Sequence, residues 1–229
     1  DNNYAQDSRI SIRGFGSRAN FGIRGIKLIV DGVPETTPDG QSQIDNLNLE
    51  IIEKVEVIRG VGSSLYGNSS AGIIKIKTLQ ELQNSFARIG FSLGSNQQNK
   101  SQFFLGQKYK KTSYTFLYSQ TKSNGYRNNS GFKNNNLNIN LFKKVNDKTN
   151  YGLSFNYVDS PYAIDPGGLT IEEVEDNRKQ ARERNVIYDS KESIKHLKLS
   201  GNFKKKISNK LTFSKYLFFS NRDFNGNIP

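Results

Sequence analysis

From about residue 85 onward the chain repeats one pattern, an apolar or aromatic residue at every second position with small polar residues between. Ala87, Ile89, Phe91 and Leu93 alternate with Arg88, Gly90, Ser92 and Gly94. Tyr114, Phe116 and Tyr118 alternate with Thr115, Leu117 and Ser119, and Leu137, Ile139 and Leu141 with Asn136, Asn138 and Asn140. Tyr151, Leu153, Phe155 and Tyr157 alternate with Gly152, Ser154 and Asn156, and Leu197, Leu199, Gly201 and Phe203 with His196, Lys198, Ser200 and Asn202. Successive side chains of a strand point to opposite faces, so each segment is a strand with one apolar and one polar face. Seven such strands are expected, near 85–95, 101–109, 112–126, 132–144, 149–159, 193–206 and 210–222. One strand of this kind also suits a soluble sandwich. The same pair of faces, returning strand after strand, favours a barrel with a wet interior and lipid outside.

Composition agrees. Hydrophobic residues make up 34% and the mean hydropathy is -0.68, low for a chain burying one large core. No run approaches the roughly 18 apolar residues of a membrane-spanning helix, which excludes a helical membrane protein and leaves a barrel open. Aromatic content of 11% argues against disorder. Cysteine is absent and His196 is the single histidine, so neither a disulfide framework nor a thiolate or multi-histidine metal site is available. The chain opens at Asp1 with no basic and apolar leader, consistent with a removed signal peptide or a start inside a longer protein.

The charge of +12 is unevenly spread. Residues 1–79 hold nine Lys/Arg and nine Asp/Glu, whereas 80–229 hold 24 and 12. Such halves suggest two domains, 1–79 and 80–229. The first is Gly-rich, with short β runs at Ile10–Arg13, Lys27–Val30, Ile51–Ile58 and Gly72–Thr78. It contains no Gly-rich phosphate loop followed by Lys-Ser/Thr and no catalytic constellation.

Five motifs in this half resemble, in order and spacing, the plug domain of TonB-dependent receptors. They are Ile12-Arg13-Gly14-Phe15, Leu28-Ile29-Val30-Asp31-Gly32-Val33-Pro34, Ile52-Glu53-Lys54-Val55-Glu56-Val57-Ile58-Arg59-Gly60, Ser64-Leu65-Tyr66-Gly67-Asn68 and Ala71-Gly72-Ile73-Ile74. Val61 departs from the family, which usually has Pro there. Gly14, Gly32, Gly60, Gly67 and Gly72 are the expected turn positions. The resemblance implies a membrane all-β architecture: a small mixed α+β plug, here its C-terminal part, followed by the first strands of a transmembrane antiparallel barrel. Plugged barrels of this kind have about 22 strands, so seven strands imply a chain incomplete at its C-terminus. The resemblance also implies that Arg13 and Arg59 meet glutamates of the barrel wall and hold the plug in place.

Lys110-Lys111, Lys143-Lys144-Lys148 and Lys204-Lys205-Lys206 with Lys210 mark three short connections on one rim. That rim is expected to be periplasmic, because the plug enters the barrel from that side and periplasmic turns are short. The connection 160–190 is then extracellular. Within it Thr170-Ile171-Glu172-Glu173 reads as a capping box opening a helix over about 171–184.

By resemblance, the protein is a transporter and not an enzyme. It would import a scarce ligand, a ferric siderophore or ferric citrate, across the outer membrane of a Gram-negative bacterium. Its partners would be the TonB-ExbB-ExbD complex, the ferric chelate, and outer-membrane lipid with lipopolysaccharide. It needs no cofactor, since iron arrives as a chelate. The pattern Val30-Asp31-Gly32-Val33-Pro34 followed by Pro38-Asp39-Gly40-Gln41 is most like the ferric-citrate branch. Arg18, Arg24, Asp39, Gln41 and Gln43, in polar loops around the Leu28–Asp31 strand, are the candidate ligand-binding residues. Two alternatives stand beside this. One is a receptor for a glycan or other nutrient. The other is a soluble basic β-sandwich binding nucleic acid or an acidic partner, which would set aromatics on a concave basic face. Tyr109, Tyr126, Tyr151 and Tyr157 instead fall near strand ends, as at a membrane interface, so no nucleic-acid partner is expected.

Overall fold

The computed structural model describes residues 5, 9–17, 22–37, 40–44, 46–60, 67 and 69–227. Thirteen strands fall into three sheets. β1 (Ile23–Arg24) and β4 (Gln41–Ser42) form a two-stranded pair. β2 (Ile26–Val30), β3 (Val33–Pro34), β5 (Ile52–Arg59) and β6 (Gly72–Thr78) form a four-stranded sheet in the order β3-β2-β6-β5. β7 (Phe86–Leu93), β8 (Asn99–Tyr109), β9 (Thr112–Ser123), β10 (Phe132–Asn146), β11 (Thr149–Ile164), β12 (Lys191–Lys206) and β13 (Thr212–Asn227) form an antiparallel meander in chain order.

The small sheet buries its apolar runs. β2 lies parallel to β6 and β5 antiparallel to it. Ile23, Ile26, Leu28, Ala71, Ile74 and Ile76 make its core. Val30 pairs with Val33 across a two-residue turn in which Asp31 (φ 51°) and Gly32 (φ 87°) are both left-handed. That is the backbone a type I′ hairpin demands, and an Asp-Gly pair supplies it at low cost. Asp31 is tied further: its carboxylate accepts from the Thr78 amide at 2.9 Å and the Thr78 hydroxyl at 2.6 Å. The Ile10–Arg13 run is not a strand. Ile12 and Phe15 make an isolated bridge, because Arg13 (φ 52°) and Gly14 (φ 82°) turn the chain back on itself. The helical content of this half, among the described residues, is one 3₁₀ turn, Leu49–Ile51, capped by Asn48, whose side chain accepts from the Glu50 amide at 2.9 Å.

The meander has the seven strands that alternation predicts. Its faces are sorted as alternation requires. Asn136, Asn138 and Asn140 are buried, while Ile139 between them is 42% exposed. On β9, Ser113, Thr115, Leu117 and Ser119 are buried and Tyr114 and Tyr118 exposed. The polar face lies against the small sheet and the apolar face looks outward. Short turns at 110–111, 147–148 and 207–211 share one rim. Backbone bonds stitch them together, Lys144 N to Lys111 O at 2.8 Å and Lys206 N to Lys148 O at 2.7 Å. The longer connections 94–98, 124–131 and 165–190 share the other rim.

Two expectations change here. β9 ends at Ser123, so Tyr126 stands in a loop and not on a strand, with the Lys179 ammonium 5.8 Å from its ring centre. The helix expected over 171–184 is two pieces, α1 (Ile171–Asn177) and α2 (Glu183–Ile187). The capping box is present at Thr170 and Glu173. The break has a tertiary cause. The Arg127 guanidinium donates to the Gln180 carbonyl at 2.9 Å, in the non-helical stretch between the pieces, and to the carbonyls of Gly167 at 2.5 Å and Pro166 at 3.1 Å ahead of α1. Burial lowers the pKa of Arg127, opposed by the nearby Asp165 and Glu173 carboxylates. Glu172, at the mouth of α1, has a lowered pKa because its own backbone amide and the Thr170 hydroxyl hydrogen-bond its carboxylate.

Candidate functional site

The site is built where the small sheet meets the polar face of the meander. The Asp31–Gly32 turn points to the short-turn rim, since a Cβ on Gly32 would stand 3.5 Å from Tyr216 near the start of β13. β1 therefore lies toward the long-loop rim. There Arg24 pairs with Gln41 in the β1–β4 ladder, and its guanidinium reaches the Gln41 side-chain oxygen at 3.3 Å. Arg24 is exposed and Gln41 half-buried.

Gln43 lies a short distance along the same segment and lines a cleft of about 610 Å³ between residues 34–46 and the inner faces of β12 and β13. Lys27, Glu35, His196, Lys198 and Arg222 share that lining. His196 and Lys198 project from β12 and pair across the ladder with Arg222 and Ser220 of β13. The imidazole Nε2 of His196 lies 2.8 Å from the Ser220 hydroxyl. The cleft thus gathers three permanent cations and one imidazole around a single carboxylate.

That carboxylate anchors a clasp. Glu35 and Lys198 form an ion pair with side chains only 10% and 9% exposed. The Asn46 side chain donates to the other Glu35 oxygen at 3.4 Å. The Asn46 carbonyl accepts from Asn136 at 3.3 Å and Asn156 at 3.2 Å. Asn48 donates to the Ser119 hydroxyl at 2.8 Å, and Lys100 stands 3.6 Å from Glu50. Glu50, Asn48, Asn46 and Glu35 are therefore bound to β8, β9, β10 with β11, and β12 in succession. Ile51 extends the contact by packing with buried Phe104 and Leu117. Buried polar groups persist when paired in this way.

Arg13 and Arg59 occupy one corner of the small sheet. Arg59 pairs with Gly72, and the Ile12 side chain lies 3.4 Å from where a Cβ on Gly72 would stand. Both arginines are exposed, and among the described residues neither forms an ion pair. Gly60 (φ 104°), Gly67 (φ 69°) and Gly72 (φ 153°) have positive φ. Arg18, Asp39, Val61 and the Ser64-Leu65-Tyr66 motif lie outside the described residues. Glu35, Asn46 and Asn48 carry no periodic or motif signal that a sequence reading could isolate, and Lys198 reads only as one more residue of the polar face of its strand.

Beyond the clasp, Tyr126, Arg127, Leu169, Val174 and Arg178 line an outer basin of about 750 Å³ between the long loops.

A sheet lodged against the polar face of a strand wall, whose other face is apolar, defines a plugged outer-membrane β-barrel. The TonB-dependent Receptor Plug Domain profile matches residues 1–74, so this part of the chain carries the plug domain of the TonB-dependent receptors, and the strands that follow have the fold of the outer-membrane barrel wall. It is 26% identical over 168 residues to the Vitamin B12 transporter BtuB of Vibrio vulnificus, covering 69% of this chain and 27% of that one. The ferric citrate transporter FecA in the unliganded form superposes with a TM-score of 0.74 at 20% identity, over 96% of this chain and 36% of FecA. The ferric yersiniabactin uptake receptor FyuA of Yersinia pestis gives 0.74 at 19%, over 98% and 36%. The chain thus spans about a third of the solved structures it matches and about a quarter of the curated relative.

Proposed function

We propose that this protein binds an anionic ferric chelate, of the ferric-citrate or siderophore type, at the outer face of its plug and releases it inward. The TonB-ExbB-ExbD complex supplies the energy. The observation that carries the reading is the cationic cleft: among the described residues of its lining, Lys27, Lys198 and Arg222 stand around the carboxylate of Glu35, with Gln43 beside them and the Arg24–Gln41 pair above. Guanidinium and ammonium groups in a confined site favour carboxylate- or catecholate-rich ligands. The ligand stays chemically unchanged, so the protein is a receptor and not an enzyme. Within the transport cycle Arg13 and Arg59 take up wall carboxylates and steady the plug corner.

A second reading is a cobalamin-type ligand, favoured by the match to the Vitamin B12 transporter. The two differ in charge, and one experiment separates them. Binding of ferric citrate, a ferric siderophore and cyanocobalamin is measured on receptor-bearing outer membranes, with an Arg24→Ala/Arg222→Ala variant alongside. Loss of a charge-assisted contact should weaken ferric-chelate binding by roughly ten-fold or more. Cyanocobalamin binding that survives the variant, with no chelate bound by the parent, discards the iron ligand and keeps the receptor.

A further inference from the structure

The polarised lysines of the wall are not used by the import reading. In 100–115, 142–151 and 203–216 the one carboxylate is Asp147, and Lys144 already pairs with it at 3.2 Å. Ten of the twelve acidic residues in 80–229 lie instead between Asp159 and Glu192 or at Asp223, toward the long-loop rim. Glu81 is the other carboxylate near the short-turn rim, its neighbour Leu82 donating to the Ser113 hydroxyl, and the rim still carries a large excess of lysine.

Its outward face has a specific order. The lipid-facing parity set by Leu199 and Phe155, paired across β11 and β12, continues toward the short turns through Lys143, Tyr151, Phe203, Lys205, Phe213 and Lys215. Each lysine stands beside an aromatic ring across the ladder: Lys143 with Tyr151, Lys215 with Phe203, and Lys205 with Phe213. Phe203 and Phe213 themselves meet edge to face, with centroids 6.3 Å apart. All three lysines are exposed, and among the described residues none forms an ion pair.

We propose that this face, from β10 to β13, binds anionic phospholipid of the periplasmic leaflet. Aromatic rings at a membrane boundary sit at headgroup level. A lysine stem lies along apolar surface while its ammonium reaches the polar layer. Here the two are interleaved, so a headgroup phosphate meets an ammonium while the adjoining ring packs against the glycerol and upper acyl chain. The surface continues the lipid-facing band of Ile139, Leu153 and Leu199, and its charge is complementary to an anionic headgroup and not to a zwitterionic one.

The test uses the receptor purified from outer membranes into detergent. It is offered equal amounts of dioleoylphosphatidylglycerol, dioleoylphosphatidylcholine and lipid A, and native mass spectrometry counts the lipids retained. An ammonium near an anionic surface contributes about five-fold in affinity per lysine, so phosphatidylglycerol should be retained about five-fold over phosphatidylcholine. A Lys143→Gln/Lys205→Gln/Lys215→Gln variant should lose that preference, and the matching Lys→Arg variant should keep it. Equal retention of the two phospholipids overturns the proposal, as does a preference that survives the Gln variant or is lost equally in the Arg variant. Stronger retention of lipid A, lost in the Gln variant, also overturns it by assigning the rim to the opposite leaflet.

Discussion

The plug sheet and the barrel wall are built from opposite burial rules. In the plug, Ile26, Leu28 and Ile73 are each 1% exposed, and the apolar runs of β2 and β6 form an ordinary interior. In the wall the interior is polar: Asn138 is 4% exposed, while Leu199 on the other face is 46% exposed. The same chain thus puts hydrocarbon inside one domain and outside the next. The solvent explains the difference. The plug is surrounded by water and polar side chains, so burying apolar area stabilises it. The wall faces lipid, so its apolar residues are already in a favourable medium, and its polar residues must be satisfied within the lumen. The clasp at Glu35, Asn46 and Asn48 is where the two regimes meet, and it is made of hydrogen bonds and one ion pair because neither surface there is apolar.

The sharpest way to break this comparison is at the clasp. Replacing Lys198 with Met takes the ammonium away from the buried Glu35 carboxylate, and breaking a buried pair in this way costs about 3 kcal/mol or more. Hydrogen exchange over residues 33–48 should accelerate accordingly. A Glu35→Gln/Lys198→Met double variant should recover most of the protection, because no charge is then stranded. Unchanged exchange in Lys198→Met would mean the plug is not held at this point. A smaller effect compares the two faces of one strand. Leu199→Arg places a cation in the lipid-facing band and should cost about 2–4 kcal/mol in lipid vesicles, whereas Asn202→Arg, on the lumen face, should cost a small part of that. Urea unfolding in vesicles reads both, and equal costs would dissolve the distinction between faces.

The sequence made the wall legible because period-two alternation is local and repeats. All seven strands could be placed, most within a few residues, and the Thr170–Glu173 box was readable as a cap. What alternation does not encode is register. Lys198 reads as one more residue of the polar face, yet pairing β11 with β12 brings it to Glu35, distant in sequence and in a loop. Asn46 and Asn48 look like loop polarity and act as anchors. The helix over 171–184 had sound local propensity, and the tertiary bond from Arg127 to the Gln180 carbonyl holds the chain out of it between the two pieces. Of the candidate site, Arg24, Gln41 and Gln43 could be singled out from their loops. The half contributed by His196, Lys198 and Arg222 could not, because it depends on how β12 and β13 curve over the plug.

The central claim is that the wall is inside out, and β11 tests it directly. The chain has no native cysteine, so single cysteines at 152–157 carry a spin label cleanly. Accessibility to oxygen, which partitions into lipid, is compared with accessibility to a water-soluble nickel complex in reconstituted vesicles. The account predicts that Leu153, Phe155 and Tyr157 positions are open to oxygen and closed to nickel, while 152, 154 and 156 are shielded from oxygen. Odd positions shielded from both reagents, with even positions open to nickel, would make the apolar face a buried protein core and contradict the membrane wall.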